Sequence, residues 1–259
     1  MVRVYTDIHN LDLRSGLKSA ITPQFPEFTA QSIPLSSSFR RQGLGLRSAV
    51  LLQWSARHKI DIAPLRARTL EGFSAPPSST EQLENTWQFE VTIPETGWLE
   101  FQLLPHNLTV WLERCGEFLL LPEERAIACF SRVEQPSFAW QYLQQRCRDL
   151  LELAHDFAAQ GSPQWQFEDY LIPHWEQTLL DSVARLFFKL LDLESGDRPT
   201  LKTVDLKNIE TAFWEFHRHC HLFAYYPAQP QRFWHYCAWL QLLEAIATTY
   251  LSITTDQKS

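Results

Sequence analysis

The stretch Phe138–Ala159, FAWQYLQQRCRDLLELAHDFAA, decides how the rest of the chain is read. On a helical wheel Ala139, Leu143, Cys147, Leu150, Ala154 and Phe157 form one apolar stripe. Gln141, Gln144, Gln145, Arg148, Glu152, His155 and Asp156 take the opposite face. Arg146 breaks the pattern, because it falls inside the stripe near Leu150 and Leu153. A guanidinium facing a core needs a partner, since an unpaired buried charge is costly. Spacing favours an internal ion pair with Asp149, one turn on. The alternative is that Arg146 reaches a ligand phosphate or a neighbouring domain.

Two further stretches predict amphipathic helices. In Leu206–Tyr226 the residues Leu206, Ile209, Phe213, Phe216, Cys220 and Phe223 alternate steps of three and four, so one face is buried. Asp205 is the expected N-cap and Pro227 the stop. Trp214 and His217 border the stripe, with Arg218 beyond them. Leu179–Leu193 is strongly amphipathic, and Arg232–Ile253 is the expected last helix.

Upstream, the pattern is mixed. Residues 1–39, with Pro23, Pro26 and Pro34 and the Ser36–Ser38 run, predict an irregular arm. From Arg40 to Arg68 the residues Arg40, Arg41, Arg47, Arg57, Lys59, Arg66 and Arg68 are opposed only by Asp61. Such a concentration attracts phosphates, although most charge runs are solvated helix faces. Leu44–His58 and Ile62–Phe73 are expected as helices. Ser74–Asn85 is a Pro/Ser linker, Trp87–Ile93 and Trp98–Leu104 are strands joined at Thr96-Gly97, and Pro105 opens a helix to about Arg114.

The totals set limits. A chain of 259 residues, 45% hydrophobic with 10 Trp and 17 Phe, builds one large globular domain or two modest ones. No apolar run reaches the ~20 residues needed to cross a bilayer. The N-terminus lacks a signal-peptide core, so a soluble, cytoplasmic protein is expected. Five scattered cysteines without a CxxC pair predict reduced, mostly buried thiols. The net charge of −7 argues against indiscriminate nucleic-acid binding while leaving room for a local basic face.

In order, these pieces resemble arginyl-tRNA synthetases. Gln141, Tyr142 and Arg146 match in register the family's Gln-Tyr-Ala-His-Ala-Arg passage, which leads into its helical anticodon-binding (DALR) domain. Phe213, Phe216, Cys220 and Leu222 fit the pattern Phe-x-x-Phe-Tyr-x-x-Cys-x-Val, with His217 in the tyrosine's place. Arg232-Phe233 and Ala238 fit the start of the family's last helix. Before them, Ala49–Ala56, Ile62-Ala63 and Gly97-Trp98-Leu99-Glu100-Phe101 follow the order of its N-terminal domain, with Glu100 replacing an asparagine.

The resemblance implies an α+β protein: an N-terminal α/β domain over 40–120, with helices and a β-hairpin, then an all-α DALR-like bundle over 136–255. The catalytic domain that separates these two in the family has no room between Cys115 and Gln135, and its HIGH-type and KMSKS-type signatures are absent. A non-catalytic protein without cofactor is therefore expected. The partner implied is tRNA, with arginine tRNAs first, and the role an adaptor or chaperone for tRNA, alongside a protein such as a tRNA-modifying enzyme. The alternative is a protein–protein scaffold or assembly factor that has lost RNA binding.

The residues expected to touch RNA are Arg40, Arg41, Arg47, Arg57, Lys59 and Arg66 for the backbone. Trp140, Tyr142, Arg146, Trp214, His217 and Arg218 would meet unpaired bases. His217, His219, Cys220 and His221 could evoke a metal site. Cys220, however, lies on the buried stripe and no second ligand pair is spaced to complete it, so no metal is expected. The chain contains no GxSxG, and Glu123-Glu124 is expected in a solvated loop.

Overall fold

A computed structural model describes residues 2–7, 11–40, 43–73, 86–120, 138–158, 161–168, 170–194 and 203–256. The protein is mixed α+β and mostly helical, with two compact units, 1–108 and 109–259. The division falls inside one helix, between Leu108 and Thr109, rather than after residue 120.

The first unit is built on a five-stranded antiparallel sheet in the order β1-β4-β5-β3-β2. Its strands are β1 (Val2–Asp7), β2 (Ser36–Arg40), β3 (Gly43–Ser48), β4 (Thr86–Thr92) and β5 (Leu99–Leu103). Strands β4 and β5 alternate as expected: Trp87, Phe89, Val91, Leu99, Phe101 and Leu103 are buried, and the residues between them are partly exposed. Gly97 turns the hairpin at φ +79°, its N–H bonded to the Pro94 carbonyl at 2.9 Å. Helices α1 (Leu13–Ile21), α2 (Val50–His58) and α3 (Ile62–Gly72) bury Leu13, Leu17, Ile21, Val50, Leu51 and Leu65.

Two expectations fail in this unit. Residues 1–39 are not an irregular arm, because they supply both edge strands and α1. Val2–Asp7 pairs along β4, and Ser36–Arg40 along β3. Pro23 and Pro26 sit between these elements and do not interrupt them. Nor is Leu44–His58 one helix. Gly43–Ser48 is a strand hydrogen-bonded on both sides, to β2 and β5, and only Val50–His58 is helical. Leu44 and Leu46 satisfy a period of two that runs straight into the helical period, and the Ser48 hydroxyl takes the Val50 N–H at the junction, 3.2 Å away.

In the second unit, α4 (Pro105–Leu119, from Thr109 onward) is followed by α5 (Phe138–Phe157), α6 (His174–Glu194), α7 (Thr203–His219) and α8 (Pro230–Asp256). Helix α8 packs along α5, and α6 along α7. All eight residues from Phe233 to Leu240 are buried, His235 among them, so this stretch of α8 is enclosed on every side. Trp140 meets Tyr250, and Arg148 pairs with Glu244 at 3.0 Å, tying α5 to α8. Trp111 packs on Phe187 and Phe188, tying α4 to α6.

The stripes of α5 and α7 are buried at Leu143, Cys147, Leu150, Ala154, Leu206, Ile209, Phe213, Phe216 and Cys220. Phe157, by contrast, is half-exposed beside Phe223 and Tyr226. Asp205 does not cap α7 from outside. It lies in the first turn and pairs with Lys189 of α6. The helix ends at His219, before Pro227, with His221 in the left-handed region at φ 39°. Among the described residues no helix is long and apolar enough to cross a membrane. Cys115, Cys147, Cys220 and Cys237 are free and buried; Cys129, the linker 74–85 and Glu123-Glu124 lie outside the described residues.

Candidate nucleic-acid interface

Four of the residues singled out on α5 and α7 come together. Tyr142 and Trp214 stack, ring centroids 5.3 Å apart and planes 29° from parallel. His217 stands edge-on to Trp214 at 6.1 Å, and Phe213 backs both rings from the core. Arg146 does not pair with Asp149, which instead accepts from Gln145 at 2.6 Å. Arg146 Nε donates to His217 Nε2 at 3.0 Å, across 71 positions of sequence. The result is an aromatic step with a guanidinium beside it, and Tyr142 remains 42% exposed.

The electrostatics follow from that bond. An acceptor nitrogen carries no proton, so His217 is the neutral tautomer with its hydrogen on Nδ1. Burial first, and then the Arg146 charge, hold its pKa below the ordinary histidine value. Arg146 thus meets a neutral partner beside the stack, and no ion pair to it is found among the described residues. Flat rings flanked by a guanidinium suit a nucleobase and its phosphate.

The other candidates on these helices fare differently. Trp140 is core, only 3% exposed and edge-on to Tyr250. It fills the seam between α5 and α8. Arg218 is exposed, but it pairs with Glu215 of its own helix at 2.9 Å. His219 also turns to Glu215, and Cys220 faces inward, its thiol pushed up to about 11 chiefly by burial. Among the described residues no group of three or more His, Cys, Asp or Glu could hold a metal ion.

The basic concentration lies in the first unit. Arg47 projects from β3, exposed, its guanidinium 4.8 Å from the centre of the Trp98 ring. Arg57 lies 3.6 Å from Glu27, which also meets His58. Lys59 ends α2 in a left-handed conformation at φ 56°, exposed, and Arg66 is half-exposed on α3. Arg40 closes β2, while Arg41 lies outside the described residues.

One polar constellation was not expected from the sequence. Glu176, fully buried near the start of α6, accepts from His235 Nε2 at 2.5 Å and Trp239 Nε1 at 3.0 Å on one oxygen. Its other oxygen accepts from the Tyr170 hydroxyl at 2.7 Å. His235 Nδ1 receives the Gln166 backbone N–H at 3.0 Å, which places the imidazole proton on Nε2, towards Glu176. Tyr170 is 3.2 Å from the Tyr236 hydroxyl, which takes Arg232 Nε–H at 3.0 Å. The donors therefore run one way, from Arg232 through Tyr236 and Tyr170 to Glu176. Burial, the main cause, pushes the Tyr236 hydroxyl up to about 12 and Tyr170 higher still. A carboxylate so enclosed holds α6 and α8 together. The only sequence signal was Glu176 one turn before the apolar run that opens at Leu179.

Comparison with protein-family models, with curated proteins and with solved structures found no match.

Proposed function

We propose that this chain is a non-catalytic RNA-binding protein of the tRNA-adaptor or chaperone type, with arginine tRNAs the first class to test. The observation that carries this is the meeting of Tyr142, Arg146, Trp214 and His217, from two helices, in one partly exposed stacking step. Stacking of an unpaired base on such rings contributes about 1–3 kcal/mol per base and tolerates any base. Arg47, Lys59 and Arg66 would supply phosphate contacts from the first unit. The order of synthetase-like motifs supports tRNA as the RNA, and a DALR-like character for the helical unit.

The test is a mobility-shift titration with total tRNA at two salt concentrations. Wild type is compared with Tyr142→Ala/Trp214→Ala and with Arg47→Glu/Arg66→Glu. Micromolar binding that weakens with salt, and weakens about tenfold or more in each variant, supports the proposal. No binding at low salt refutes it.

A second reading rests on a specific observation. Arg57, Arg148 and Arg218 are each engaged by a carboxylate, and the chain is acidic overall. A protein–protein scaffold needs no free positive face, and it gains if the titration shows no RNA bound.

A further inference from the structure

Within the second unit, α4 and α8 diverge around a cleft of about 740 Å³, closed on a third side by the segment carrying Pro163 and Trp165. Helix α4 presents Leu112, Gly116 and Leu119 to it at helical spacing, and α8 presents Ala238, Leu242 and Ala245 at the same spacing. Two apolar faces of matching period would ordinarily close on each other. Here a cleft remains between them although Leu112, Leu119, Ala238 and Leu242 are themselves buried at its floor, and a Cβ built on Gly116 would meet no atom within 4 Å. The volume falls inside the roughly 300–1,000 Å³ of small-molecule sites, which are characteristically apolar with a few placed polar groups.

Beside Gln241, Thr248, Thr249 and Ser252, the charged groups at the cleft are acidic. Glu113 and Glu117 lie one turn apart on α4, both exposed and both lining the cleft. Like charges at that spacing repel, and a cation between them would relieve the repulsion. Partial burial, then the Glu117 charge, raises the Glu113 pKa, the behaviour of a carboxylate without a counter-ion. Glu244, also at the cleft, is already neutralised by Arg148 at 3.0 Å, and no other ion pair to these carboxylates is found among the described residues.

We propose that this cleft is a binding site for a small organic cation with an apolar body, its aromatic or aliphatic part between α4, Trp165 and α8 and its ammonium between Glu113 and Glu117. The site lies on different residues from the aromatic step of α5 and α7 and does not depend on RNA binding.

The test uses the full chain and two fluorescent probes of matched body and opposite charge, dansylcadaverine and dansyl-6-aminohexanoic acid, followed by emission shift and anisotropy. Dansylcadaverine is expected to bind at least about tenfold more tightly than the acid. Gly116→Phe, which places a ring in space that is empty, should weaken it at least tenfold with the thermal transition preserved. Glu113→Gln/Glu117→Gln should bring the two probes within about threefold of each other. Equal affinity of the two probes for wild type overturns the proposal, as does absence of binding. So does unchanged binding in a folded Gly116→Phe. Should that variant not fold, the double glutamine variant decides: both carboxylates are exposed, so its fold is kept, and an undiminished preference for the amine refutes the site.

Discussion

Replacing Glu176 tests whether the buried carboxylate stabilises the helical unit or merely survives in it. In wild type three neutral donors converge on it, from His235, Trp239 and Tyr170. Glu176→Leu removes the acceptor. Tyr170 can still turn to Tyr236, but the His235 and Trp239 N–H groups, both within 1% of full burial, have nowhere to go. Each orphaned donor costs about 1–3 kcal/mol. Release from burying a charge offsets part of that loss, and the separation of Arg232 from its distant counter-charge adds to it. A net loss of about 3–5 kcal/mol is expected, a large part of a typical domain's stability of about 5–15 kcal/mol. Glu176→Gln keeps an oxygen facing His235 and Trp239 and turns its amide to Tyr170. It forfeits mainly the charge-assisted share of the bonds and should lose about 2 kcal/mol. Urea unfolding followed by tryptophan emission reads this unit well, since seven of the ten tryptophans lie beyond residue 108. Glu176→Leu as stable as wild type, or more stable, would refute the reasoning and place this carboxylate among buried charges that a hydrophobe replaces without loss.

Other outcomes are expected. The folded-state pKa of His217 lies below the usual 6.5. The unfolded chain therefore takes up this proton first, and the contribution of His217 to stability is present above about pH 6.5 and lost as the pH falls below it. His217→Gln, which still accepts from Arg146 but does not titrate, should flatten the fall in melting temperature between pH 7 and pH 5; an equal fall in both proteins would rule out this origin. Gly97→Ala should destabilise the first unit by more than about 1 kcal/mol in denaturant melts, because φ +79° disfavours a side chain and the new Cβ would lie 2.7 Å from Leu52. A neutral melt would mean that the turn relaxes. In a Cys129→Ser variant, a thiol-reactive dye should find no fast phase in the native state, since Cys115, Cys147, Cys220 and Cys237 are buried, with burial raising the pKa of each thiol. A fast native phase would show that one of them opens.

The amino-acid sequence by itself determined the long helices of the second unit and most of the face each one buries. The stripes of α5 and α7 follow from apolar residues every three or four positions, a repeat enforced by the helix's own geometry whatever lies beyond it. The β4–β5 hairpin was legible for the same reason, through its period of two and the glycine at its turn. Only the tertiary structure decided the rest. Val2–Asp7 and Ser36–Arg40 are strands because β4 and β3 offer them hydrogen bonds, and nothing in their composition announces those partners. Arg146 has Asp149 nearby on its own helix, yet its guanidinium goes to His217 on α7, where packing brings a neutral acceptor within 3.0 Å. Trp140 and Tyr142 looked alike beside the stripe. The α5–α8 seam buries the first, and the edge of α7 leaves the second stacked and accessible. Glu176 stood among polar neighbours, and its donors come from the preceding loop and from α8, the latter 59 and 63 positions away. A local pattern can say which face of an element is apolar. Which polar group finds which partner depends on how the elements pack, because a hydrogen bond is decided by distance and direction, and the chain reports neither until it has folded.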